Sequence, residues 1–315
     1  MRLNAVRIAF LAAALVALPL LAQQPTFRAG VDVVKVDVSI ARGVEHVSGL
    51  TAQNFEVFDN GVKQKITNVA IAQVPLEVYL VLDLSGSVQG EALAQLKRAA
   101  NALVDGLVPA DRVALLTFSK TVTVAQELTS NFQAFKAALA EAKPSGNTAL
   151  FDAVLKAISM REPKDNRAIV VVFTDEGDNA STATTKQVVD AAERSDVTGY
   201  GVLAPQVRST GVGVGMGGTG FGAPQFQLGF LRSLADGTGG RVFRASERLP
   251  LEDLFEMVLD DARSRYVLTY SPDKTTPGLH KLNVKLVAAK GDVTARRSYF
   301  VGKPPGGQPP STSAR

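Results

Sequence analysis

Two short, continuously apolar runs constrain this chain most. Val78-Tyr-Leu-Val-Leu82 and Ala168-Ile-Val-Val-Val-Phe173 show no polar alternation, and each ends in an acidic loop. A strand that is apolar at every position is buried on both faces, as in a parallel sheet covered by helices. The intervening sequence supplies those helices. Glu91 to Leu107 has apolar residues at helical spacing, and helices are also predicted over 132–142, 149–160, 185–195, 226–235 and 251–263. Further strands are predicted at 113–118, 121–128, 197–204 and 241–244. Strands alternating with helices predict a doubly wound α/β domain with a mostly parallel sheet over residues 75–262.

The flanks have a different texture. From Val34 the sequence alternates, with Val34, Val36, Val38 and Ile40 on one face and Lys35, Asp37 and Ser39 on the other. Phe55-Glu-Val-Phe-Asp59 meets Asn60-Gly61, a strong signal for a type I′ hairpin, and 65–71 is the expected returning strand. Strands are also predicted at 265–270, 280–287 and 294–301. The segments 23–74 and 263–302 are expected to form one small all-β module, a sandwich into which the α/β domain is inserted; two separate β appendages would give the same sequence pattern.

Residues 1–22 have a positive start at Arg2 and Arg7, an apolar stretch from Ile8 to Leu21 and a small residue at Ala22. This is the pattern of a secretory signal peptide; the apolar stretch falls short of the ~20 residues of a spanning helix. The expected location is the periplasm or exterior of a bacterium, with no membrane span after cleavage. The stretch 209–224 holds seven glycines and reads as a flexible loop, and 303–315 as a disordered tail.

Composition removes whole classes of chemistry. With no cysteine, there can be no disulfide, thiolate metal site, cysteine nucleophile or lipidated N-terminal cysteine. Two histidines, His46 and His280, cannot build a His-rich metal site. Thirty-four basic and 30 acidic residues nearly balance, and no basic stripe suggests nucleic acid.

The informative residues lie at the ends of the two apolar runs. Asp83-Leu-Ser85-Gly-Ser87 follows the first, where ligand sites of open α/β sheets lie. Its spacing can turn one carboxylate and two hydroxyls toward a common point. Asp175, in Thr174-Asp-Glu-Gly-Asp178, ends the second run, and Thr148 opens a helix in Asn147-Thr-Ala-Leu150. All are hard oxygen ligands suited to Mg²⁺, with Mn²⁺ and Ca²⁺ as alternatives.

These three segments, in this order, resemble the metal-ion-dependent adhesion site of von Willebrand factor type A domains. The resemblance covers about residues 75–262, and Ala110-Asp-Arg-Val-Ala-Leu-Leu-Thr-Phe118 also looks like the family. The flanks Leu50 to Gly61 and Tyr266 to Pro272 are similar to secreted bacterial proteins that carry such domains. The resemblance implies a vWA/Rossmann-like fold. It also implies a divalent cation held by Asp83, Ser85, Ser87, Thr148 and Asp175, some through water, with a vacant position for a carboxylate of a partner protein. The expected function is non-enzymatic, metal-dependent binding or adhesion.

Other readings compete. Ser85, Ser87 and Thr148 could simply cap helices. The domain could be an inert envelope scaffold, or a metal-assisted hydrolase, although no nucleophile has a base beside it. Glu176, Asp178 and Asp111 read as solvated loop residues, His46 and His280 as structural or surface residues, and Phe118, Phe151 and Phe173 as core.

Overall fold

A computed structural model describes residues 33–71, 73–162, 166–175, 177–204, 223–246, 248–272 and 276–302. Residues 1–32, with the expected signal peptide, lie outside the described residues. So do residues 205–222, which hold the glycines of the Gly-rich stretch, and the tail 303–315.

The central sheet contains β6 (Leu76–Asp83), β7 (Arg112–Phe118), β8 (Val122–Thr129), β9 (Arg167–Thr174), β10 (Thr198–Leu203) and β11 (Val242–Arg244). Their spatial order is β11-β10-β9-β6-β7-β8. Every pairing is parallel except β7 with β8. Among the described residues the sheet is flanked by α1 (Glu91–Asp105), α2 (Phe132–Glu141), α3 (Leu150–Ser159), α4 (Thr185–Arg194), α5 (Ala223–Thr238) and α6 (Leu251–Arg263).

The apolar runs are explained by two cores. Leu76, Val78, Leu80 and Leu82 of β6 pack with Leu96, Phe135 and Phe255 of α1, α2 and α6. Tyr79 and Val81 point the other way, among Val154, Val188 and Leu234 of α3, α4 and α5. Phe118, Phe151 and Phe173 are buried, as expected. Successive strand residues alternate faces, so a strand with helices on both sides must be apolar throughout.

The flanks form the β module. One sheet runs β14-β1-β12-β5 with β2 on β1, and the other runs β15-β13-β3-β4. The strands are β1 (Val34–Arg42), β2 (Glu45–His46), β3 (Phe55–Asp59), β4 (Val62–Gln64), β5 (Ile66–Ile71), β12 (Tyr266–Tyr270), β13 (Gly278–Leu286), β14 (Asp292–Ala295) and β15 (Ser298–Val301). Strands from before and after the α/β domain pair directly, β1 with β12 and β3 with β13. Val36, Val38, Val57, Leu268, Tyr270 and Leu282 share one core.

Two strands differ from the sequence reading. Asn60 and Gly61 do turn with positive φ, 48° and 83°. The returning strand, however, is Val62–Gln64 on β3, and the chain then leaves for the other sheet as β5, paired with β12. The single strand expected at 294–301 is also two, β14 on β1 and β15 on β13. Both departures have one cause: strands that switch sheets make the corners of a sandwich, and alternation alone does not mark where a switch occurs.

Candidate metal centre

Asp83 is the last residue of β6, and Asp175 immediately follows β9. These strands are neighbours, with Leu82 opposite Phe173, so both carboxylates sit where the strand order reverses. Chain connections leave β6 and β9 in opposite directions there, which opens a crevice at the carboxyl ends of the strands.

Backbone hydrogen bonds lock the loops together. Gly86 N–H donates to the Gly146 carbonyl at 3.1 Å, and Ser145 N–H to the Leu84 carbonyl at 2.7 Å. Gly146 has φ +62°, which suits glycine there. The third loop joins through Asn179. Its Oδ1 accepts from Thr148 N–H at 2.8 Å, and its own N–H donates to the Thr148 carbonyl at 3.0 Å.

The structure brings Asp83, Ser85, Ser87 and Asp175 together, and ties Thr148 to the neighbouring loop through its backbone. Ser87 Oγ donates to Asp175 Oδ1 at 3.1 Å, and the Ser85 and Ser87 hydroxyls are 3.0 Å apart. Asp83 is fully buried, with Oδ1 accepting from Ser85 N–H at 2.8 Å and Oδ2 from Thr174 Oγ1 at 2.6 Å. Ser85 and Thr148 are also buried, Asp175 is half-buried and Ser87 is exposed. The centre therefore opens to solvent at Ser87 and Asp175.

These residues fit a divalent cation. Burial pushes the Asp83 carboxyl up to about 6 despite its hydrogen bonds from Thr174 and Ser85, and the nearby Asp175 adds to the rise. No basic side chain pairs with Asp83 among the described residues. Hard oxygen donors with two carboxylates match Mg²⁺, which needs few charged ligands. Among the described residues no three of His, Asp and Glu group as a metal site, so hydroxyls would have to supply the rest.

Helix capping does not account for these hydroxyls. The residue preceding α1 is Gly90 and that preceding α3 is Ala149, neither with a side-chain cap. The first turn of α3 is satisfied from elsewhere: Phe151 N–H donates to Asp178 Oδ2 at 3.0 Å and Asp152 N–H to Ser181 Oγ at 3.0 Å. Asp178 is therefore a latch between loop and helix rather than a merely solvated residue. Asp111 is corrected likewise. It is buried and accepts from Leu76 N–H at 2.8 Å, Val108 N–H at 2.9 Å and Arg263 Nη2 at 2.5 Å. Glu176 lies outside the described residues. The sequence reading missed Thr174 and Asn179; the only signal was their place beside Asp175 and Asp178.

Both histidines belong to the β module. His46 Nε2 is 3.3 Å from Asp260. His280 is buried with Nδ1 2.8 Å from Asp59 Oδ1 and Nε2 2.7 Å from the Thr276 carbonyl.

Residues 78–178 match the von Willebrand factor type A domain family, and this part of the chain is such a domain, a class that generally mediates protein interactions. Inter-alpha-trypsin inhibitor heavy chain H4 of Bos taurus is 27% identical over 119 residues, covering 34% of this chain and 13% of that one. An uncharacterized protein of Synechocystis sp. is 29% identical over 110 residues, 34% of this chain and 26% of its own length. The chain thus matches about a quarter or less of either relative. A von Willebrand factor type A structure from Catenulispora acidiphila superposes with a TM-score of 0.50 at 14% identity, over 81% of this chain and 75% of that one. At that identity it bears on the fold alone. Among the described residues no helix is long and apolar enough to cross a membrane.

Proposed function

We propose that this is an exported bacterial binding protein whose type A domain captures an acidic group on a partner protein through a divalent cation. Asp83, Ser85, Ser87, Thr148 and Asp175 would hold the ion, Mg²⁺ in the first instance. The observation that carries the reading is the contact between Ser87 Oγ and Asp175 Oδ1 at 3.1 Å, which joins the ends of two buried strands at the solvent-facing mouth. When bound, the ion would supply an electrophilic position for an outside oxygen ligand, because two carboxylates only balance its charge.

The protein's own residues prepare that position. Thr174 and the Ser85 amide fix both oxygens of Asp83, and Asn179 fixes the Thr148 backbone. Exposed Ser87 and half-buried Asp175 leave room for a partner. Neither histidine lies in these loops to act as a general base, which favours binding over hydrolysis.

The test is calorimetric titration of Mg²⁺ and Mn²⁺ into chelator-stripped protein beside Asp83→Ala. One saturable site, lost in the variant, is expected. Wild type that takes up neither ion, or a variant that binds like wild type, would refute the reading.

A further inference from the structure

We infer a second ligand site, at the opposite end of the central sheet, for a small organic anion with an apolar body. A cavity of about 520 Å³ lies between the β module and the amino ends of β9 and β10. That volume falls in the range of small-molecule pockets, which favour junctions of this kind. Its roof is the outer face of the sheet β14-β1-β12-β5. The inner-face residues Val34, Val36 and Leu268 fill the sandwich core, while Lys35, Asp37 and Thr269 turn outward into the cavity.

Its charges are unequal. Both carboxylates on the wall are already matched: Asp37 accepts from Arg167 Nε and Nη2 at 3.0 and 2.8 Å, and Asp196 from Arg161 Nε and Nη2 at 3.0 and 2.8 Å. Two further cations line the cavity, Lys35 and Arg296. Arg296 spends Nη2 on the Ser195 carbonyl, and its shielded Nε has no acceptor among the described residues. Neither cation has an ion-pair partner among the described residues. Net positive charge therefore remains on the cavity wall, half of it on exposed Lys35 and half on Arg296, whose shielded guanidinium attracts an anion more strongly than a fully hydrated one would. Ile71 and Val74, 48% and 42% exposed, also line it and offer apolar surface. A carboxylate or phosphate head between Lys35 and Arg296, with an apolar body against Ile71 and Val74, satisfies both features.

The full chain is titrated with phenyl phosphate, benzoate and neutral benzyl alcohol at physiological salt, followed by NMR. Saturable binding of at least one anion is expected, with benzyl alcohol at least tenfold weaker. Which anion binds tighter distinguishes phosphate from carboxylate ligands. Lys35→Gln, on an exposed strand residue, and Arg296→Gln should each weaken binding at least fivefold, with unchanged circular dichroism showing that both remain folded. If neither anion saturates at millimolar concentration, if the neutral analogue binds as well, or if folded Lys35→Gln binds like wild type, the inference is overturned.

Discussion

Replacing Asp261 by Asn should destabilise the protein by about 3–5 kcal/mol, the cost of leaving a buried charge without its partner. Asp261 lies on α6 with no exposure, and Arg265, two residues beyond the helix end, is equally buried. Its Oδ1 accepts from Ser39 Oγ at 2.8 Å, and its Oδ2 from Tyr200 Oη and Arg265 Nη2, both at 2.7 Å. Among the described residues Arg265 Nη1 already has no acceptor, so little else could absorb its charge. At about 2–4 °C per kcal/mol for a domain of this size, the Tm should fall by roughly 6–20 °C in differential scanning calorimetry. The pH dependence supplies an independent check. Burial opposes the Asp261 carboxylate, but Arg265, Tyr200 and Ser39 outweigh it and hold the group at about 2. A pKa depressed on folding stabilises above the unfolded value near ~4, and that contribution is lost as pH falls through the folded value. Wild type and Asp261→Asn should therefore converge in Tm between about pH 4 and 2. The double variant Asp261→Leu with Arg265→Met should recover most of the loss. If Asp261→Asn costs under about 2 °C, or the double variant shows the sum of the single losses, the pair is not coupled as the structure implies.

Four further outcomes follow from the surroundings of single residues. Asn179→Ala should weaken Mg²⁺ binding severalfold in calorimetry, because Thr148 loses the amide that fixes its backbone, while the Tm drops by only about the 1–3 kcal/mol of an orphaned buried donor. His280 lies between two acceptors; burial lowers its pKa, but the Thr276 carbonyl and Asp59 outweigh it and raise it above the ordinary histidine value. Its stabilisation is then complete below about pH 6.5 and lost as pH rises through the folded value; His280→Phe should flatten that part of the Tm–pH curve. Finally, Gly240→Ala would place a Cβ 1.8 Å from the Gly199 carbonyl oxygen and should cost about 3 kcal/mol or more by overpacking. Gly229→Ala in α5 meets nothing within 4 Å and should raise the Tm slightly through helix propensity.

The α/β architecture was legible because its cause is local: a strand covered on both sides must be apolar throughout, and Val78–Leu82 and Ala168–Phe173 are. The convergence of Asp83, Ser85, Ser87 and Asp175 was legible for a related reason, since each lies in a loop at the end of such a strand. Long-range polar pairing was not legible. Lys35, Asp37 and Ser39 alternate with the core valines as a wetted face would. Yet Asp37 is bound to Arg167 and Ser39 to Asp261, 130 and 222 residues away in sequence. Period-two alternation says that a strand has two faces, not what lies against each. Asp111 and Asp178 were misread for the same reason: an acidic residue in a loop looks identical in sequence whether it faces water or accepts backbone amides from another element.

The placement of these polar pairs separates the two ends of the sheet. β9 begins at Arg167, bound to Asp37 of the β module, and ends at Thr174, bound to Asp83. Seven residue steps at about 3.3 Å put these ends roughly 23 Å apart. That is more than twice the ~8–10 Å over which exposed charges act at physiological salt, so direct electrostatic coupling between the candidate metal centre and the Lys35 cavity should be small. The two carboxylates that could have attracted cations to the β-module end are each tied to an arginine, whereas Asp83 has no basic partner among the described residues. In the proposed arrangement a cation binds at the carboxyl ends of the strands and an anion at the amino ends. Lys35→Gln should accordingly leave Mg²⁺ affinity within about a factor of two, because a factor of ten would require 1.4 kcal/mol of coupling. A larger change would mean that β9, or α6 through Arg167 Nη1 and the Ala262 carbonyl at 2.5 Å, moves as a unit between the two ends.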